Sequence, residues 1–374
     1  MAMSTTEIRK GLAGVVVDTT AVSKVVPETN SLTYRGYAVQ DLCATCSFEE
    51  VAYLLWYGDL PDRYALGLFT ERERAARRAD KGLLDLVAQM PLSAHPMDVL
   101  RTAVSWLGAR DPEEEDSSTQ TLREHGLRLM AVLPTVIAFD QRRRRGLEPI
   151  PPDHTKSYSE NFLAMCFGDE YTMADVRAFD VSMILYAEHS FNASTFTARV
   201  VTSTTSDYFS AITAAIGALK GSLHGGANEA VMHHMRDIGE PSRAAEWVHA
   251  RLDAKQKIMG FGHRVYRDGD SRVPTMEAAF RDVAAAHDGG RWVELYDAMA
   301  EAMIARTGIK PNLDFPAGPT YHLLGFDIPF FTPLFVASRV TGWTAHVVEQ
   351  TESNALIRPL SAYSGVEQRE VKAS

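Results

Sequence analysis

Cysteine is scarce in this chain of 374 residues, and the three present are Cys43, Cys46 and Cys166. Cys43 and Cys46 make a CxxC pair, but no second pair and no paired histidines follow, and the pair stands just before a helix start rather than in a strand-helix-strand unit. No resident metal and no redox role are expected. Long apolar runs are missing too: nowhere do about 18 apolar residues follow one another, so no membrane partner is expected. Positive charge is in deficit. At a formal net charge of −10, a nucleic-acid partner has to be met by a local basic patch working against an acidic whole, and none is expected. The one basic run, Arg142 to Arg145, precedes prolines at 149, 151 and 152 and reads as a solvated loop. The first residues lack the basic-then-apolar order of a secretory leader and the Arg- and Ser-rich character of a transit peptide, which points to the cytoplasm. No repeat of about 20 to 50 residues recurs, which argues against a solenoid.

What is present is an ordinary globular composition, 45% hydrophobic and 23% charged. At about 150 residues per domain the length implies two or three domains. The opening GLAGVVVDTTAVSKVV and SLTYRGYAV are β-branched and aromatic with turn residues between them, the pattern of a small hairpin. Ser47-Phe48-Glu49-Glu50 is a capping box opening a helix that stops at Gly58 and Pro61. Apolar residues spaced by three or four recur over 64–89, 96–107, 117–139, 161–167, 173–188 and 206–219, so the fold class is mainly α. Between 221 and 321 glycine and proline become denser around amphipathic stretches at 227–236, 244–259 and 291–307. The expected organisation is a large helical domain, 1–220 plus 322–374, and a small one, 221–321.

Three fragments in that second half carry chemistry: GSLHGGANE around His224, GFGHRVY around His263 and PNLDF around Asp314. Each sets one proton-handling side chain in a Gly- or Pro-rich turn, where backbone can approach a ligand closely. A neutral His224 is expected, because its turn precedes a helix beginning near Gly226 whose positive end disfavours an imidazolium. Asn228 and Glu229 either fix its tautomer or simply cap that helix.

In this order and spacing the fragments resemble the citrate synthase family, with wording similar to its 2-methylcitrate synthase branch. The resemblance runs from GLAGVVVDTT and YRGY through SFEEVAYLLWYGDLP to IRPLSAY. It implies a two-domain multi-helical fold with a small N-terminal β hairpin, and a homodimer. It also implies condensation of oxaloacetate with propionyl-CoA or acetyl-CoA, the CoA thioester being a co-substrate and not a resident cofactor. Asp314 would remove the α-proton of the thioester, His224 would hold the enolate oxygen, and His263 would act as acid on the oxaloacetate carbonyl. Oxaloacetate would be held by His189, Arg272 and Arg339, with Arg358 reaching across to the neighbouring subunit's site. Two carboxylates call for such guanidinium forks. The loop from Lys257 through Gly260 and Gly262 to His263 would lie against the adenine of CoA, with Arg267 and Lys310 toward its phosphates. With the matching core starting within the first dozen residues, the resemblance gives no expectation of the extra N-terminal domain of NADH-regulated members.

Two other classes remain. A metallohydrolase would use His189, His224, His263 and Asp314 as ligands, but none has a nearby partner of the HExxH kind. A non-catalytic acyl-CoA-binding protein has no need of Asp314.

Overall fold

The computed structural model describes residues 8–26, 28–266 and 268–371. Three short strands, β1 (Ser23–Val26), β2 (Ser31–Tyr34) and β3 (Tyr37–Ala38), form an antiparallel sheet in chain order, with Ser23 opposite Tyr34 and Tyr34 opposite Tyr37. The expected hairpin therefore gains a third strand. The valines at 15–17 stay outside it and exposed, because a β-branched run without a paired neighbour has no ladder to join.

The rest is helical. In chain order the helices are α1 (Val39–Thr45), α2 (Phe48–Tyr57), α3 (Arg63–Ala76), α4 (Lys81–Gln89), α5 (Pro96–Gly108), α6 (Thr119–Arg144), α7 (Tyr158–Phe167) and α8 (Met173–Tyr186). They continue with α9 (Ala193–Ser203), α10 (Tyr208–Leu219), α11 (Ala227–Ile238), α12 (Ala244–Asp253), α13 (Val273–Ala286), α14 (Gly290–Thr307), α15 (Asp314–Leu323) and α16 (Phe331–Glu352). Local side chains set many of the starts. The expected capping box is formed, Ser47 Oγ accepting from Glu50 N and Glu50 Oε2 from Ser47 N, and Gly58 in a left-handed conformation closes α2.

The centre of the molecule is α16, buried on every side from Phe331 to Val348 and packed against α2, α6, α8 and α9. Its Pro333 sits in the first turn, where a missing N–H costs nothing. Gly342 lets this helix touch the turn after α8: a Cβ there would stand 2.3 Å from the Ala187 carbonyl oxygen.

Three expectations are corrected. The stretch 244–259 ends its helix at Asp253, because Lys255 turns left-handed and Gln256 N–H bonds back to the Arg251 carbonyl, so residues 254–263 are loop. Asp314 does not lie in a turn; it is the first residue of α15, a helix hidden by Pro316 and Pro319. Arg142 to Arg145 are not a solvated loop. They end α6 and cap exposed carbonyls: Arg142 bonds the Cys166 carbonyl, Arg143 those of Ala88 and Met90, Arg144 those of Leu92 and Ala94, and Arg145 that of Gly325. No helix among the described residues is long and apolar enough to cross a membrane.

Candidate active site

His224 stands in the tight turn between α10 and α11. Gly225 is required there, since a Cβ would meet the Leu219 carbonyl oxygen at 2.6 Å. The imidazole reaches across to the start of α9, where Nε2 accepts the Ser194 backbone N–H at 3.2 Å and lies 2.9 Å from Ser194 Oγ. A nitrogen that accepts a backbone N–H carries no proton, so the neutral ring holds its proton on Nδ1. Burial, and then the positive Arg339, lower the His224 pKa to about 3. The expected neutral imidazole is present, but its cause is corrected: the N–H aimed at it belongs to α9, not to the helix that follows it. Neither Asn228 nor Glu229 is bonded to the ring. Asn228 Oδ1 accepts its neighbour's N–H, and Glu229 reaches Thr332 at the start of α16 and His95.

His263 is built the opposite way. Its Nδ1 accepts the backbone N–H of Val265 at 3.1 Å, which leaves the proton on Nε2. Burial, with Arg272 beside it, lowers its pKa to about 4. Gly260 and Gly262, both left-handed, tie this loop to the segment before Asp314: Gly262 N bonds the Lys310 carbonyl, Asn312 N the Gly260 carbonyl, and Asn312 Nδ2 the Gly262 carbonyl, each at 2.9 Å. These backbone groups are thus engaged within the protein.

Asp314 opens α15 with its backbone N–H on Asn312 Oδ1 and its own Oδ1 accepting the Tyr186 hydroxyl at 2.7 Å. Burial raises its pKa to about 6 against the Tyr186 bond and the positive Arg272 and Arg339, which lower it. Tyr186 packs on Phe335, ring centroids 4.2 Å apart, and the same ring carries the Arg339 guanidinium at 4.6 Å and approaches His224 at 6.1 Å. Arg339 donates from Nε to the Tyr186 carbonyl at 2.6 Å, and its Nη1 is buried with no partner within the chain. Burial lowers its pKa to about 10, still cationic at neutral pH.

His189, buried, lies against His263 with ring centroids 4.9 Å apart, and its Nε2 is 3.2 Å from the Tyr266 hydroxyl. Burial and then Arg272 hold its pKa well below the usual histidine range. Arg272 forms a two-point pair with Asp270, at 2.9 and 2.7 Å; burial works against its charge, and Asp270 overrides that and holds it protonated. Behind His189 the N-terminal sheet has its use. Ser23 Oγ donates to Glu188 Oε1 and accepts Ser190 N–H, while Tyr34 donates to the Glu188 carbonyl, so β1 and β2 hold the turn that presents His189.

His189, His224, His263, Arg272, Asp314 and Arg339 are therefore one cluster. Sequence reasoning missed Tyr186, Ser194, Tyr266, Asp270 and Phe335 in it; only Asp270, two residues before Arg272, left a local sign. Phe315, next to Asp314, is turned into the core against Phe261 and Tyr296. Arg358 stands apart, exposed on the tail after α16. Lys257 is exposed, Lys310 donates to the Asp268 carbonyl, and Arg267 lies outside the described residues. Among the described residues no three His, Cys, Asp or Glu side chains gather as a metal set.

Such a cluster offers two fixed N–H donors from neutral imidazoles, two buried cations and, besides the Asp270 carboxylate paired with Arg272, the Asp314 carboxylate, a set suited to making and trapping an enolate. The citrate synthase C-terminal domain family matches residues 11–360. A 2-methylcitrate synthase of Mycobacterium tuberculosis (strain H37Rv) is 64% identical over 97% of this chain and 92% of its own length. A citrate synthase of Mycolicibacterium smegmatis is also 64% identical, over 97% and 96%. The solved ternary complex of Thermoplasma acidophilum citrate synthase with carboxymethyl coenzyme A and oxaloacetate superposes with a TM-score of 0.93 at 30% identity, covering 98% of both chains.

Proposed function

Because the chain belongs to the citrate synthase family, whose members are acyltransferases, we propose that it condenses oxaloacetate with propionyl-CoA and water to give 2-methylcitrate and CoA, and that it also uses acetyl-CoA. The observation that carries this reading is the pair of opposite tautomers. His224 offers Nδ1–H and His263 offers Nε2–H, each fixed by a backbone N–H on its other nitrogen, with Asp314 as the third group.

Asp314 takes the proton next to the thioester carbonyl, and the C–H electron pair becomes the enolate, whose oxygen is held by His224 Nδ1–H. The enolate carbon attacks the keto carbon of oxaloacetate, and His263 Nε2–H protonates the oxygen that gains charge. Water then cleaves the thioester and releases CoA. Neutral imidazoles suit both donor roles, because the oxygens gain charge only as the reaction proceeds. The unpartnered Nη1 of Arg339, together with Arg272 and His189, receives the oxaloacetate carboxylates.

The same reading assigns residues 221–321 to a small domain that closes on the large one, places the dimer partner's Arg358 in the site, and sets residues 257–263 with Arg267 and Lys310 toward CoA. The location is cytoplasmic. Relatives equally similar to this chain carry both the citrate and the 2-methylcitrate name, and a single methylene is worth only about 1 to 3 kcal/mol in a pocket. The deciding measurement is thiol release from propionyl-CoA and acetyl-CoA with oxaloacetate, compared as kcat/KM. A propionyl preference is expected; an acetyl preference makes the chain a citrate synthase, and release with neither substrate removes the enzymatic reading.

A further inference from the structure

Asp314 is not a free carboxylate. One of its two oxygens is committed to the Tyr186 hydroxyl at 2.7 Å, a side chain from α8, 128 residues away in sequence. Tyr186 is itself fixed at three points: its hydroxyl by that bond, its ring by Phe335 at 4.2 Å, and its carbonyl by Arg339 Nε at 2.6 Å. An aspartate whose other oxygen must meet a C–H bond in line has to be held to within about 0.5 Å, and a charge-assisted O–H···O bond to a rigid partner does this without blocking the second oxygen.

We propose, building on the enolising role of Asp314, that Tyr186 is the positioning residue of this site, aiming Asp314 so that Oδ2 alone takes the α-proton and keeping the carboxylate ionised among its buried neighbours. The groups facing Asp314 fit this need. Arg272 and Arg339 favour its charge, while Asp270 opposes it, and Tyr321 on α15 itself stands near enough to feel it. The two arginines are the ones assigned to the substrate's carboxylates, so their help weakens once oxaloacetate is bound. The phenol bond does not. In the transfer, the Cα–H bond breaks, a proton joins Oδ2, and the Tyr186 proton stays on its own oxygen throughout. Because Arg339 grips the carbonyl of the same residue, a shift of that guanidinium on binding oxaloacetate also reaches the base through one residue.

The test is Tyr186→Phe, which keeps the ring on Phe335 and the carbonyl on Arg339. Expected are a fall in kcat of about 10- to 100-fold, the worth of a charge-assisted hydrogen bond, and an acid limb of the pH–kcat profile moved to higher pH, with oxaloacetate affinity unchanged. Exchange of the thioester α-hydrogens with deuterated water falls by the same factor. A fluorinated, more acidic tyrosine placed at 186 strengthens the bond and moves the limb to lower pH while the shape is kept. An unmoved limb in both variants, with normal kcat, overturns the proposal. Equal loss of oxaloacetate affinity and kcat also overturns it, by reducing Tyr186 to a packing residue. The underlying role of Asp314 is judged separately: Asp314→Gly with unchanged turnover refutes that reading, whereas an inactive Asp314→Gly beside a normal Tyr186→Phe refutes only the present one.

Discussion

Replacing Gly342 with alanine adds one methyl group at the place where the central helix meets the turn that presents His189. That Cβ would stand 2.3 Å from the Ala187 carbonyl oxygen and 2.4 Å from Glu188 Oε2. Ordinary contact begins near 3.4 Å, so α16 and the 187–188 backbone must separate by about 1 Å. Overpacking of this kind costs about 1–3 kcal/mol, and here the neighbour is backbone with Glu188 held by Ser23 and His346, which favours the upper end. The alanine returns about 1 kcal/mol of helix propensity. A net loss of about 2 kcal/mol, in a chain of this length, lowers Tm by about 2–3 °C. Gly67→Ala is the control: it lies exposed in α3 with nothing within 4 Å of its Cβ, so it collects the propensity gain alone and raises Tm by about 1 °C. A 1 Å displacement next to His189 and Arg339 also costs up to about 100-fold in turnover, and oxaloacetate affinity falls with it. Thermal melts and oxaloacetate titration of both variants check this. If Gly342→Ala melts at or above the parent temperature with normal affinity, the claim that this helix contact positions the site is wrong.

Asp180 provides a pH-dependent case. Burial, and then the nearby Glu49, raise its pKa from 3.8 to about 7, so its contribution to stability is full below about pH 4 and is lost as pH rises through about 7. Asp180→Asn keeps an acceptor for Ser159 Oγ and the Phe48 N–H, and it should gain on the order of 3 kcal/mol at pH 8 and little at pH 4. Equal Tm shifts at the two pH values contradict the assignment. Arg358→Ala should lose activity, and mixing it with an inactive His263→Ala chain should restore part of it through hybrid dimers. No recovery on mixing argues that Arg358 serves no partner's site. Exhaustive chelation should leave turnover unchanged, and a loss reversed by zinc would bring back the metallohydrolase reading.

What the sequence made legible was whatever is encoded locally. The capping box at Ser47, the hairpin residues around SLTY and the turns carrying His224 and His263 each depend on neighbours within a few positions, and each is found where expected. The long helices nearest the chemistry were not legible. In α15 two prolines mask the periodicity, and in α16 there is no polar face to give a period at all. The supporting residues are set by tertiary contact: Ser194 meets His224 from 30 residues away and Tyr186 meets Asp314 from 128, separations at which spacing carries no information. The arginines at 142–145 show the same limit from the other side. Their charge is visible in the sequence, but the carbonyls they cap come from three other parts of the chain, residues 88–94, Cys166 and Gly325.

The three hydrogen bonds joining Gly260 and Gly262 to Lys310 and Asn312 have a mechanical meaning. They weld the segment carrying His263 to the one carrying Asp314, so the proposed acid and the proposed base ride on a single frame. Against that frame stands a second one, the turn after α8 with His189 and the central helix with Arg339. Under the closure proposed above for residues 221–321, the two groups therefore arrive together. An enolate made without a partner to receive it would be wasted on water, and a linkage of this kind removes that path by geometry instead of by an added gate.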